Sequence, residues 1–164
     1  RNLYSRYSWQ GVGVMLVNAQ GMAFVGKRID TRGQPEGGDF WQMPQGGIDR
    51  GETPAIAALR ELGEETGINT KHVELLEELE PWLFYDFPPA LKQKLTGPYF
   101  GQRQKWFAYR FTGSDTDFRL DDHTPEFDAW KWAKLEEAPG LVIPFKAAVY
   151  EEVAKRFAKW AEPI

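Results

Sequence analysis

Four glutamates and one arginine stand at fixed offsets between Gly46 and Ile68: Glu52, then Arg60, Glu61, Glu64 and Glu65. On a helix turning about 100° per residue, Glu61, Glu64 and Glu65 share one face within an arc of roughly 100°. Like charges one turn apart repel by roughly 0.2–0.5 kcal/mol per pair. Arg60 offsets part of this, but one arginine cannot neutralise three glutamates. A hard divalent cation can, because Mg²⁺ and Mn²⁺ prefer carboxylate and carbonyl oxygens. Gly46 and Gly47 would let a backbone carbonyl approach the same ion, having no side chain in the way. A solvated acidic face is the common reading of such a helix. It explains neither the glycine-rich loop nor the separate Glu52.

The flanking pattern supplies elements to position these groups. Thr53 suits a helix N-cap, Pro54 the first helical position, and Gly67 the C-terminal stop. Ile56, Leu59 and Gly63 fall opposite the glutamates, with Ala55 and Leu62 toward the edge, so that side is expected to pack on a sheet. Residues 11–17 alternate, with Val12, Val14 and Leu16 on one face of a strand. A turn at residues 18–21 leads to a second strand at 22–28, a hairpin pattern. Residues 31–39 read as a loop, 40–43 as a short strand ended by Pro44, and 45–51, with three glycines, as a tight loop. Residues 73–85 read as extended or hairpin structure, broken at 86–89, with a helical turn at 90–95. Residues 104–111 and 128–133 read as strands. Pro144 opens a last helix with an apolar stripe of Phe145, Ala148, Val149, Val153, Phe157 and Trp160. Strands flanked by two helices predict an α+β fold, a sheet sandwiched between helices.

A length of 164 residues favours one domain spanning 1–164. The net charge of −4 argues against an extended nucleic-acid surface. It leaves a nucleic-acid end, or a small phosphorylated ligand held through metal, open. The absence of cysteine excludes disulfides and zinc–thiolate sites. His72 and His123 are too far apart in sequence to suggest a histidine metal site. No apolar run is long enough to span a membrane and no signal peptide is visible, so a cytoplasmic enzyme is expected. Oligomeric state leaves no signature here.

The spacing Gly46-x5-Glu52-x7-Arg60-Glu61-Leu62-x-Glu64-Glu65-x-Gly67-Ile68 matches the complete Nudix box. The chain thus resembles the Nudix hydrolases. The resemblance implies an α/β/α sandwich around a mixed β-sheet, with the box folded as loop–helix–loop. It also implies hydrolysis of nucleoside diphosphates linked to another moiety, with Mg²⁺ or Mn²⁺ as cofactor. By motif position, Glu61, Glu64 and Glu65 would be metal ligands, helped by the Gly46 carbonyl. Glu52 and Arg60 would join loop to helix as an ion pair.

Three flanks look like the branch holding bacterial RNA 5′-pyrophosphohydrolases and plant-type diadenosine tetraphosphate hydrolases. They are residues 41–49 (WQMPQGGID), 101–107 (GQRQKWF) and 125–130 (PEFDAW). The similarity runs over nearly the whole chain, although residues 31–39 form a longer loop than is usual for the branch. Residues 82–89 (WLFYDFPP) look closer to the dinucleoside polyphosphate side. Glu126 alone would be a surface acid; the resemblance makes it an additional metal ligand or water-activating group. Gln45 is a candidate substrate contact. Gln104 and Lys105 are either an edge-strand pair or polyphosphate contacts. In the RNA-directed relatives, positions equivalent to Arg28 and Phe145 hold a nucleobase, yet Phe145 also fits its helix's apolar stripe. Trp82 and Tyr85 are base-stacking candidates that core packing would equally explain.

The reaction this implies is attack of water on a phosphorus of a polyphosphate chain, with one of Glu61, Glu64, Glu65 or Glu126 positioning or deprotonating the water. The expected substrates are 5′-triphosphorylated RNA, losing pyrophosphate, and diadenosine tetraphosphate, split asymmetrically into ATP and AMP. Two other readings are a housekeeping hydrolase of free nucleotides or nucleotide sugars, and a non-catalytic nucleotide-binding module. The flanks speak against the first and the intact box against the second.

Overall fold

The computed structural model describes residues 9–29, 38–94 and 100–164. The long loop read at 31–39 falls mostly outside them. Eight strands are β1 (Gln10–Val17), β2 (Ala23–Arg28), β3 (Trp41–Gln42), β4 (Gln45–Gly47), β5 (Val73–Glu78), β6 (Leu83–Asp86), β7 (Gly101–Phe111) and β8 (Phe127–Ala133). The helices are α1 (Pro54–Thr66), α2 (Pro89–Lys94), α3 (Ala138–Leu141) and α4 (Ala147–Arg156). The strands form one mixed sheet with the path β3-β2-β1-β7-β5, to which β4 adds on β1, β6 on β7 and β8 on β2.

Strand β1 is buried from Gly11 to Val17, because both faces of the sheet are covered. Val12, Val14 and Leu16 meet Ala57, Ala58 and Leu62 of α1 on one side. Met15 and Val17 meet Val149, Tyr150 and Val153 of α4 on the other. Helices therefore flank a mixed sheet, as the sequence predicted. No helix among the described residues is long and apolar enough to cross a membrane.

Strand β7 is the spine of the sheet, pairing parallel with β1 from Gln10↔Arg103 to Val17↔Arg110. Its other edge carries β5 and β6 end to end, from Val73↔Phe111 to Asp86↔Gly101, both antiparallel. Residues 73–85 are thus extended, and the hairpin alternative falls because each strand pairs with β7. Residues 45–51 are not loop throughout: Gln45–Gly47 pairs with β1 as β4, with Val12↔Gly46.

Helix α1 starts and stops as expected. Thr53 accepts a hydrogen bond from Ile56 N at 3.2 Å. Gly67, in the left-handed region at φ 74°, donates its N–H to Gly63 O. The inward stripe is turned from the expected one: Ala57, Ala58, Leu62, Glu65 and Thr66 are buried, while Ile56 is 56% exposed. Two alanines let the helix close on the sheet, and Glu65 turns inward because a backbone N–H of β4 receives it. In the C-terminal segment Val149, Val153 and Phe157 are buried as expected. Ala148 is exposed instead, and Lys146 and Tyr150 take buried positions.

Candidate active site

Strand β4 and helix α1 meet edge to face. Gln45 N donates to Glu65 Oε2 at 2.8 Å. One residue on, a Cβ at Gly46 would collide with the Glu61 carboxylate, so only glycine admits the carboxylate against the β4 backbone. Arg60 ties loop and helix together. Its Nε donates to Glu52 Oε2 at 2.6 Å and its Nη2 to Glu52 Oε1 and to Gly47 O, both at 2.8 Å. Its Nη1 donates to Glu61 Oε1 at 2.7 Å and Glu64 Oε2 at 3.2 Å. The bidentate bond to Arg60 pulls Glu52 down to about 2.

The three helix glutamates differ in environment. The Glu64 side chain is 44% exposed, whereas Glu65 is 4% exposed. Burial pushes the Glu65 carboxyl well above its usual range, and the Glu61 charge adds to this against the Gln45 N–H. Burial also raises Glu61, opposed by Arg60. As they stand, Glu61 and Glu64 are drawn to Arg60. Among the described residues no three acidic or histidine side chains converge as a ready ligand set.

Two adjoining clefts share Glu61, Glu65 and Glu126. The first, ≈ 260 Å³, adds Glu64, His123 and Thr124. The second, ≈ 290 Å³, adds Trp9, Arg28, Gln42, Gln45, Tyr85 and Gln102, with Gly46 and Gly47 at its edge. Glu126 arrives from the loop before β8, its carbonyl accepting Ile29 N at 3.0 Å just past β2. Arg28 brings a positive charge to the second cleft, beside Glu61, Glu65 and Glu126. Behind it Gln42 Oε1 accepts both Arg28 Nη1 at 3.2 Å and the Nζ of Lys146, which is buried and lines neither cleft, at 3.4 Å. Burial, then the Arg28 charge, pulls Lys146 down to about 7, with Glu65 and Glu126 opposing.

The structure sorts the remaining candidates by strand alternation. Gln104 is buried; its Nε2 donates to Gln45 Oε1 at 3.2 Å and Gln102 Oε1 at 2.9 Å, so it braces the cleft from beneath. Lys105 points to the opposite sheet face, its ammonium donating to Glu80 O at 2.6 Å. Trp82 lies on that face too, under the Arg103 guanidinium at 4.7 Å. Neither Trp82 nor Lys105 lines the two clefts. Tyr85 does line the cleft, with Phe145 packed on it at 5.6 Å between ring centres. Phe145 itself is partly buried against the core cluster and lines neither cleft.

Cleft residues that escaped sequence reasoning include His123 and Trp9. Lys146, buried behind the cleft on Gln42, carried a signal, a lysine breaking an apolar stripe. His123 lies three residues before Glu126, and separation from His72 hid its position beside the carboxylates. Trp9 gave no signal beyond preceding a strand.

The family model of the NUDIX domain matches residues 8–157. The chain belongs to the NUDIX domain family. It is similar to a protein named RNA pyrophosphohydrolase from Rhodospirillum rubrum, 52% identical over 155 residues, covering 94% of this chain and 89% of that protein. A protein of the same name from Novosphingobium aromaticivorans is 53% identical over 148 residues, with 89% of each chain covered. Among solved structures, the E. coli dihydroneopterin triphosphate pyrophosphohydrolase superposes with a TM-score of 0.68 at 20% identity, covering 90% of this chain and 93% of that one. A C. elegans Ap4A hydrolase superposes with a TM-score of 0.65 at 18% identity, covering 92% and 98%. These two likenesses show the Nudix fold. With its box complete, the chain is a Nudix hydrolase.

Proposed function

We propose that this Nudix hydrolase removes pyrophosphate from 5′-triphosphorylated RNA, and that it also splits diadenosine tetraphosphate asymmetrically into ATP and AMP. The observation that carries this reading is the cleft that sets carboxylates of α1 and Glu126 beside Arg28, with buried Lys146 behind it on Gln42. A polyphosphate needs cations along its length, and among the described residues lining the two clefts Arg28 alone is a permanent cation. The named relatives, matched over nearly the full chain, favour the RNA end as main substrate.

The donor set fits a hard divalent ion. Glu61, Glu64, Glu65 and Glu126 offer only oxygen, Gly46 adds a carbonyl, and burial raises the Glu61 and Glu65 carboxyls, so a cation beside them would favour their charged form. These residues would hold Mg²⁺ or Mn²⁺, which when bound would neutralise polyphosphate oxygens and stabilise charge at the attacked phosphorus. Movement of Glu61 and Glu64 off Arg60 would complete the ligand set. Glu52 keeps Arg60 in place when they leave. One of the four glutamates positions or deprotonates the attacking water. Arg28 holds the distal phosphates, with Lys146 buried behind it on Gln42. The nucleobase rests near Arg28 and Tyr85, with Phe145 supporting Tyr85 from the core. The proposed site of action is the cytoplasm.

Product analysis on a short triphosphorylated oligonucleotide, a long triphosphorylated RNA and diadenosine tetraphosphate tests the reading. Monophosphorylated RNA plus pyrophosphate, at similar rates for both RNA lengths, is expected. The chain's net charge of −4 predicts only a shallow fall of log affinity with log salt. Good turnover of nucleotide sugars with none of RNA ends would overturn it.

A further inference from the structure

Beneath the cleft lies a chain of side-chain amides with one fixed direction. Trp106 is fully buried, and its Nε1 donates to Gln104 Oε1 at 3.0 Å. Gln104 Nε2 then donates to Gln102 Oε1 at 2.9 Å and to Gln45 Oε1 at 3.2 Å. The Tyr85 hydroxyl donates to the same Gln102 oxygen at 3.3 Å. An indole nitrogen can only donate, a glutamine offers an oxygen on one side and an amine on the other, and a hydroxyl does either. Trp106 therefore sets the order. Its N–H claims the Gln104 oxygen, the Gln104 amine points onward, and the carbonyls of Gln45 and Gln102 turn to meet it. With Gln104 turned over, its amine would face the indole N–H and leave a buried donor unpaired.

Gln45 and Gln102 line the cleft, whereas Gln104 and Trp106 lie behind them. A Cβ at Gly11 would collide with the Gln102 amide, so glycine there lets the amide lie close against β1. With their carbonyls turned to Gln104, Gln45 and Gln102 direct their amines the other way. We propose that Trp106 is a positioning residue: its indole N–H fixes the polarity of three glutamines, so that the cleft floor offers N–H donors from Gln45 and Gln102 to the polyphosphate of the substrate. This rests on the functional reading above and deepens it. Phosphate oxygens accept hydrogen bonds, and the carboxylates of Glu61, Glu65 and Glu126 beside the floor repel them. Amines facing the cleft attract the chain; carbonyls in their place would add to the repulsion.

The test uses the whole chain with Mg²⁺, labelled with ¹⁵N in its glutamine side chains. On titration with inorganic triphosphate, the amine signals of Gln45 and Gln102 should shift, and that of Gln104 far less. In parallel, KM and kcat for a 5′-triphosphorylated oligonucleotide are read for wild type, Trp106→Phe and Gln104→Met, at a temperature where circular dichroism shows each folded. Either substitution frees the outer amides to turn. KM should rise about tenfold, the worth of a hydrogen bond to a charged group, with kcat changed far less. Trp106→Phe also loses packing; Gln104→Met keeps the indole and separates polarity from fold. Amine signals of Gln45 and Gln102 unmoved by triphosphate, or a wild-type KM in Gln104→Met, would overturn the inference, and pyrophosphate release by wild type would leave the functional reading standing. A wild type that releases none would overturn that reading, and this inference with it.

Discussion

Arg60 grips Glu52 through two hydrogen bonds, of 2.6 and 2.8 Å, from two different nitrogens of its guanidinium. The same guanidinium reaches Gly47 O, so one side chain joins the β4 loop to α1. Glu52→Gln should therefore lower both melting temperature and activity, whereas Glu64→Gln should lower activity alone. The pH dependence has a definite sign. Glu52 is held at about 2, below the ordinary 4.5, so its pair stabilises fully above pH 4.5 and is lost as pH falls toward 2. Melting curves of wild type and Glu52→Gln should converge across that window. Divergence on acidification would rule out the pairing.

Glu65 gives the opposite sign. Its folded-state carboxyl lies well above 4.5, so its contribution is fully present below pH 4.5 and is lost as pH rises through the folded value. In metal-free protein Glu65→Gln should be more stable than wild type, with a gap that widens as pH rises from 4.5. Turnover should fall by orders of magnitude. Thermal melts in chelator and steady-state kinetics in Mg²⁺ check the two halves separately.

Cation binding should release protons, because burial raises the Glu65 carboxyl well above its usual range in metal-free protein. Calorimetric titration with Mg²⁺ in buffers of different ionisation enthalpy should show a buffer-dependent heat, and affinity should weaken on acidification. A heat independent of buffer would show that no protonated Glu65 carboxyl takes the cation.

Gly46→Ala places a methyl group where the Glu61 carboxylate lies. The side chain must shift, and misplacement of about 1 Å at a reacting centre costs roughly a hundredfold in rate. The expected result is a loss of kcat on that scale with circular dichroism unchanged. Wild-type kcat in the variant would mean that Glu61 does not need its present position.

Much of this was legible in the residues. Thr53, Pro54 and Gly67 bound α1 because capping is local chemistry, and the box spacing fixed which carboxylates lie together. The phase of α1 was misread because apolarity put Ile56 inward, while a long-range hydrogen bond from Gln45 N draws Glu65 inward instead. The face that Lys105 takes on β7 was not legible, because adjacent residues of a strand face opposite ways and β4, which borders the cleft, was read as loop. Lys146 was missed because burial of an ammonium depends on Gln42, 104 positions away in the chain.

The most direct measurement is pyrophosphate release from 5′-triphosphorylated RNA by metal-stripped protein, before and after Mg²⁺ is restored, for wild type and Glu64→Gln. The account predicts no release without metal and full release of pyrophosphate by wild type on Mg²⁺ addition. It also predicts loss by orders of magnitude in a Glu64→Gln protein that melts at or above the wild-type temperature. Undiminished release in chelator, or wild-type release by Glu64→Gln, would contradict it.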